Sequence, residues 1–395
     1  MRFSRQLLRL GAVWIGILSL LVAGTITMSS AASASSSGTY TFGVIDSTTG
    51  TYGVVGTDEL SGISLAVNMI NASGGVKGHS LAYKLVDDQG SVSLSTLALK
   101  RLNLQNKLPV ILGPGISPEA AADAPLAQKY GALEMNFVAQ SSTWLTTKNK
   151  VLSNVFAMAT PQQDLADAML KYMANVEKVH TASIAFANIY FGQLGEGFLA
   201  ADAAKYGITI TGTPSGWDPT TGEYGSLGTT IDSANPPGLF LWGAGSSSDA
   251  QVLASIRAAG YTGPIIGDVT FTEGDIPADA ATAAPTVIGM SQINYAKPAG
   301  MTAKFISAYK QANNGALPDY LAAMTFDAVQ ILAQAIKKSG SYTAKSLAKA
   351  LVGLKYTGAN GQYAFSSKYH GGPGSGAYVP VTFSSSGAYE LAPTS

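Results

Sequence analysis

Short apolar runs alternate along this chain with stretches in which apolar residues recur every three or four positions. Positions 40–45 form a strand-like run, the Thr49-Gly50-Thr51-Tyr52-Gly53 turn follows, and Ile63, Val67 and Ile70 then recur at helical spacing. Asn71-Ala72-Ser73-Gly74-Gly75 predicts the end of that helix, because glycine accepts the left-handed conformation of a C-cap. The alternation continues with a strand at 81–86 closing on Asp87-Asp88, a helix at 93–106, a strand at 110–112, a helix at 119–130 and a strand at 132–135. A second set starts near Val155. It reads as helix 161–175, strand 182–187, helix 194–206, strand 208–213, a Gly/Pro-rich stretch, the apolar Leu239-Phe240-Leu241-Trp242, helix 248–259 and strand 264–267. Helices at 300–313, 319–338 and 343–352 and strands at 361–367 and 379–384 complete the pattern. Parallel strands need a crossover element between them, so this order predicts an α/β protein with two doubly wound parallel sheets.

The N-terminus is read separately. Arg2, Arg5 and Arg9 precede an apolar run over 10–23, and small residues ending in Ala32-Ser33-Ala34 follow, which is the layout of a secretory signal peptide. Gly11, Gly16, Ser19 and Gly24 interrupt the run, and it is shorter than the ~20 apolar residues of a spanning helix, so 1–34 is expected to be cleaved after Ala34. The product is expected in the periplasm or outside the cell.

Composition narrows the chemistry. The 395 residues hold 24 basic and 24 acidic side chains, only 12% of the chain is charged, and no basic face is available to neutralise phosphates. No nucleic-acid partner is expected. The absence of cysteine excludes disulfides, Cys-ligated zinc, iron–sulfur clusters, a thiol nucleophile and an acylated N-terminal cysteine. The three histidines, His79, His180 and His370, have no metal-ligand spacing, and no G-x-S-x-G elbow exists. No metal, no cofactor and no catalytic residue is expected. Gly195-x-Gly197-x-x-Ala200 imitates a dinucleotide fingerprint, but it begins eight residues after its strand and lacks the following acid, so it reads as a glycine-rich helix start. Asp87-Asp88 reads as a solvated strand end.

Loops at the C-terminal ends of the strands carry the candidate site, since open parallel sheets bind ligands there. Gly113-Pro114-Gly115-Ile116-Ser117-Pro118-Glu119 leads a strand into a helix. The Ser117 hydroxyl and the first helical N–H groups suit an anion, and they equally suit plain N-capping. The 137–142 loop offers small polar residues, and Tyr52, Tyr190, Phe191, Trp217 and Trp242 are aromatics in or beside loops, suited to covering an organic ligand.

These residues carry a resemblance. The segment Gly62-Ile63-Ser64-Leu65-Ala66-Val67-Asn68-Met69-Ile70-Asn71-Ala72-Ser73-Gly74-Gly75-Val76-Lys77-Gly78, with Leu85-Val86-Asp87-Asp88-Gln89 after it, resembles the periplasmic branched-chain amino-acid-binding proteins of ABC importers. The run 110–117 and the Tyr190-Phe191-Gly192 loop support the resemblance, which covers nearly all of 38–395. It implies a type I periplasmic-binding-protein fold, an α/β fold of two doubly wound parallel-sheet lobes with a ligand cleft between them and three crossovers. The lobes expected are 38–157 with 288–377, and 158–287 with 378–395.

By the same resemblance, Ser117 falls where the family binds the ligand carboxylate, and Ala139, Gln140 and Ser141 fall where it holds the polar head. Tyr190 or Phe191 falls where the opposing lobe offers a tyrosine, and Trp242 lies near another aromatic of that lobe. Asp268 stands one position from the acid that pairs with a ligand ammonium, which leaves amino acids, amides, short carboxylates and aromatic acids open. The implied function is that of a monomeric, non-enzymatic receptor that binds a small molecule by lobe closure and hands it to a membrane permease and its ATPase. The alternative is a ligand sensor of the same fold that acts through a signalling partner.

Overall fold

A computed structural model describes residues 38–138, 146–147, 150–273, 276–280, 282–283, 287–385 and 388–393. The strands are β1 (Thr39–Asp46), β2 (Ser80–Asp87), β3 (Val110–Leu112), β4 (Leu133–Asn136), β5 (Thr146–Thr147), β6 (Lys150–Val151), β7 (Val155–Ala157), β8 (Thr181–Ala187), β9 (Thr209–Ile210), β10 (Ser215–Trp217), β11 (Leu239–Trp242), β12 (Ile265–Gly267), β13 (Val287–Ser291), β14 (Lys355–Thr357), β15 (Gln362–Ala364), β16 (Val379–Phe383) and β17 (Tyr389–Leu391).

Two larger sheets organise them. The first has the order β2-β1-β3-β4-β7 and is parallel throughout. The second runs β10-β8-β11-β12-β13-β16-β17, with β9 beside β8; it is parallel up to β13 and antiparallel beyond. Central strands of a sheet covered on both faces cannot alternate apolar with polar residues. Accordingly β3 (Val-Ile-Leu) and β11 (Leu-Phe-Leu-Trp) are buried at every position. The first sheet packs under helices Gly53–Ala72, Tyr320–Ser339 and Ala344–Leu351 on one face and Val92–Lys100 and Ser117–Tyr130 on the other. Apolar clusters on both faces of the second sheet involve helices Gln162–Asn175, Tyr190–Asp202 and Ser247–Ala259. Among the described residues no helix is long and apolar enough to cross a membrane.

Several expectations are corrected. Val155 does not open the second set: β7 pairs with β4 as the edge of the first sheet. The border drawn at 287/288 falls inside a strand, since β13 pairs with β12 and β16 in the second sheet, and the chain leaves that sheet only after Ser291. The 93–106 helix is an α-helix to Lys100 and a π-helical turn over Arg101–Gln105. The 208–213 strand is confined to β9, and the Gly/Pro-rich stretch contains β10 and the helix Gly225–Ala234. Asp88 is fully buried, accepting hydrogen bonds from the Ser47 hydroxyl (2.6 Å) and the Gly90 N–H, so of the Asp87-Asp88 pair only Asp87 is a solvated strand end.

Candidate functional site

A cavity of about 360 Å³ opens where strands of both sheets end. Most of the wall is made of loops and helix starts that follow a strand. After β1 come Tyr52 and Val55; after β3, Gly115, Ile116, Ser117 and Pro118; after β4, Phe137 and Val138. The second sheet contributes Ile189, Tyr190 and Phe191 after β8, Ala244 and Gly245 after β11, and Val269, Thr270 and Glu273 after β12. Tyr320 and Leu321 come from the start of the Tyr320–Ser339 helix.

The floor is made where the chain passes between the sheets. Thr160 lies on the passage after β7, Gln292 on the one after β13, and Tyr378 on the one before β16. Gln292 Nε2 donates to the Thr160 hydroxyl, and Tyr378 lines the same floor beside them. Two of the passages are thereby tied by a side-chain hydrogen bond, and the third places its tyrosine at the same point.

Ser117 is not a helix cap. Ile116 occupies the N-cap, Ser117 is the first helical residue, and its hydroxyl makes no hydrogen bond among the described residues while lining the cavity. Tyr52 caps the Gly53–Ala72 helix by backbone position only and lines the cavity, with one edge of its ring against Gly90. Tyr190 and Phe191 open the Tyr190–Asp202 helix, and the Phe191 carbonyl accepts from the Gln162 side chain.

Two proposed contacts are corrected. Trp242 is fully buried and lies behind Phe191, ring centroids 5.7 Å apart, in a space left by the missing side chain of Gly195. It does not line the cavity. Asp268 is also fully buried and off the cavity. Its Oδ1 accepts from the Gly243 N–H (3.3 Å), the Thr270 N–H (3.2 Å) and the Thr270 hydroxyl (2.6 Å), which clips the loops after β11 and β12 side by side. Burial pushes its carboxyl up to about 8, against the lowering effect of the Thr270 hydroxyl. Asp249 likewise accepts the Ala244 and Gly245 N–H groups and fixes that stretch of wall. Ala139, Gln140 and Ser141 lie outside the described residues.

Glu273, Tyr320, Gln292 and Tyr378 are polar lining residues that sequence reasoning missed, and Glu273 is the acidic one. It lines the cavity with Tyr320, and burial together with nearby Asp319 holds its carboxyl well above the usual range. Among the described residues no lysine, arginine or histidine lines the cavity. The wall after β3 carries the Ser117 hydroxyl and a helix N-terminus, and Glu273 and Tyr320 add a carboxyl and a tyrosine hydroxyl to the lining. The rest is aliphatic and aromatic surface. Nothing in this set assembles a nucleophile with a base.

A family model described as periplasmic binding protein matches residues 39–387. A periplasmic binding protein type 1 from Bordetella pertussis superposes with a TM-score of 0.79 at 22% identity, covering 90% of this chain and 100% of that one. The branched-chain amino-acid transporter substrate-binding protein of Streptococcus pneumoniae, solved with isoleucine, gives 0.76 at 18% identity over 89% and 98% of the two chains. A solute-binding protein of an ABC transporter from Rhodopseudomonas palustris, solved with 3,4-dihydroxybenzoic acid, gives 0.73 at 18% identity over 87% and 92%. No curated protein matches the chain in sequence.

Proposed function

Because this chain belongs to the periplasmic binding protein family, we propose that it captures a small organic solute outside the cytoplasmic membrane, after signal-peptide cleavage, and delivers it to an ABC permease. Members of the family are extracytoplasmic solute-binding proteins of type I fold, not enzymes. Two lobes are proposed to close on the solute, one built on the first sheet (38–157 with 292–377) and one on the second (158–291 with 378–393). The observation that carries this reading is the cavity itself, walled by loops from both sheets and floored by the three chain passages. Its volume falls within the roughly 300–1,000 Å³ of small-molecule sites.

The lining argues for a ligand with one polar end and an apolar body. Ser117 is proposed to hold the polar end, Tyr52, Tyr190 and Phe191 to cover the body, and Glu273 with Tyr320 to read a donor on its far side. Ala139, Gln140 and Ser141 follow β4 directly after two wall residues and are proposed to complete the polar end. A thermal-shift screen of amino acids, amides and aromatic acids tests the reading. A ligand that binds only the folded state stabilises it by about 2.7 kcal/mol at a hundred times its Kd. A rise in Tm with at least one such compound is expected, and a flat screen over all three classes contradicts the proposed ligand range.

A further inference from the structure

Behind the cavity wall lies a carboxyl pair that the binding site does not use. Asp46 ends β1 and Glu59 lies nearly two turns into the Gly53–Ala72 helix; both are fully buried. The two carboxyls lie against each other, yet among the described residues Asp46 Oδ2 and both Glu59 oxygens meet no N–H or O–H donor. Asp46 Oδ1 is satisfied by the Ser47 N–H (2.9 Å). Two bare carboxylates in this position repel, and a proton on one of them turns the same contact into a hydrogen bond.

The neighbours do not relieve the charge. Asp87 and Asp88 face Asp46 from the end of β2, Asp58 faces Glu59 from its own helix, and Asp319 faces it from the cap of the Tyr320–Ser339 helix. Across Asp88, Glu119 and Asp123 of the Ser117–Tyr130 helix extend the acidic set. The Thr325 hydroxyl spends its proton on the Glu59 backbone carbonyl, not on the carboxyl. Among the described residues neither Asp46 nor Glu59 forms an ion pair with a lysine, arginine or histidine. Glu59 also touches the cavity wall: a side chain at Gly115 would run into its carboxyl oxygens, and Gly115 lines the cavity.

We propose that a proton shared between Asp46 and Glu59 is part of the folded state, so that the protein is built to work on the acidic side of neutrality and the 113–116 loop loosens when that proton is lost. The link to ligand capture rests on the function proposed above; the proton and the loop do not. Burial raises both carboxyls, Asp46 to about 7 and Glu59 well above its ordinary value, with each raised further by neighbouring carboxyls. The sign follows. Between the unfolded value near 4 and the folded value, the native chain holds a proton that the unfolded chain has released to solvent. Stability from this pair is therefore full below pH ~4 and falls as pH rises toward ~7, by about tenfold in the folded-to-unfolded ratio per pH unit for one proton.

The test uses the full chain without ligand, so a wrong ligand assignment leaves its outcome unaffected. Urea unfolding across pH 4–8 should give stability that declines with pH. The Asp46→Asn/Glu59→Gln double variant keeps an amide hydrogen bond and should lower the slope by about one proton, which is tenfold less change per unit. Should that variant not fold, Glu59→Gln alone, which retains a donor toward Asp46, carries the same reading. Hydrogen exchange of peptides spanning 113–116, corrected for intrinsic rate, should show protection at pH 6 that drops at pH 8 in the wild type and not in the folded variant. Stability that rises from pH 4 to 7, a slope unchanged by the substitutions, or loop protection equal at both pH values overturns the proposal.

Discussion

At the residue scale, the position of Ser117 separates two roles that share one sequence motif. A capping serine sits before the first helical residue and accepts a helical N–H, whereas Ser117 sits inside the helix with its hydroxyl on the cavity. Ser117→Ala should therefore leave unfolding within about 0.5 kcal/mol of the wild type. It should weaken a ligand found by thermal shift about tenfold or more, since a hydrogen bond to a charged group contributes about 1.5–3 kcal/mol. Calorimetric titration beside urea unfolding checks both, and a stability loss with unchanged affinity would restore the capping role. The site was partly legible in the sequence for a physical reason. Tyr52, Ser117, Tyr190 and Phe191 follow recognisable strands, and the ends of parallel strands are where such sheets bind. Glu273, Gln292 and Tyr378 lie in irregular segments or chain passages, where no periodicity marks which way a side chain turns. Asp268 and Trp242 stand next to cavity-lining segments in sequence but turn inward, one to tie backbone N–H groups and one to support Phe191.

At the element scale, the glycines of the Tyr190–Asp202 helix show how a motif-like pattern arises from packing. Gly195 faces the indole of Trp242, whereas nothing lies within reach of a side chain at Gly197. Gly195→Ala forces the new methyl into a filled core and should destabilise by about 1–3 kcal/mol. Gly197→Ala should be neutral or stabilise by up to about 1 kcal/mol through helix propensity. Urea unfolding of the two variants reads this directly; equal effects would remove the packing explanation. The elements that sequence reading placed best are strands buried on both faces, such as β11, and helices with long apolar stripes, such as Tyr320–Ser339. It missed Gly225–Ala234, whose Gly, Ser and Thr residues leave only Gly228 and Ile231 buried, and β13, whose Val-Ile-Gly-Met-Ser run follows an Ala/Thr-rich stretch that gives no boundary.

At the scale of the whole molecule, the floor of the cavity is where the two halves are joined. Thr160, Gln292 and Tyr378 lie on the three passages between the sheets, so a relative movement of the two halves would bend the chain where these side chains line the floor. A ligand that touches walls from both sheets gains contacts as they approach and shifts the population toward the closed arrangement by that difference in affinity. Small-angle X-ray scattering of the protein with and without a ligand identified by thermal shift measures that shift. The account predicts a smaller radius of gyration at saturating ligand; a radius that stays unchanged under saturation would contradict it.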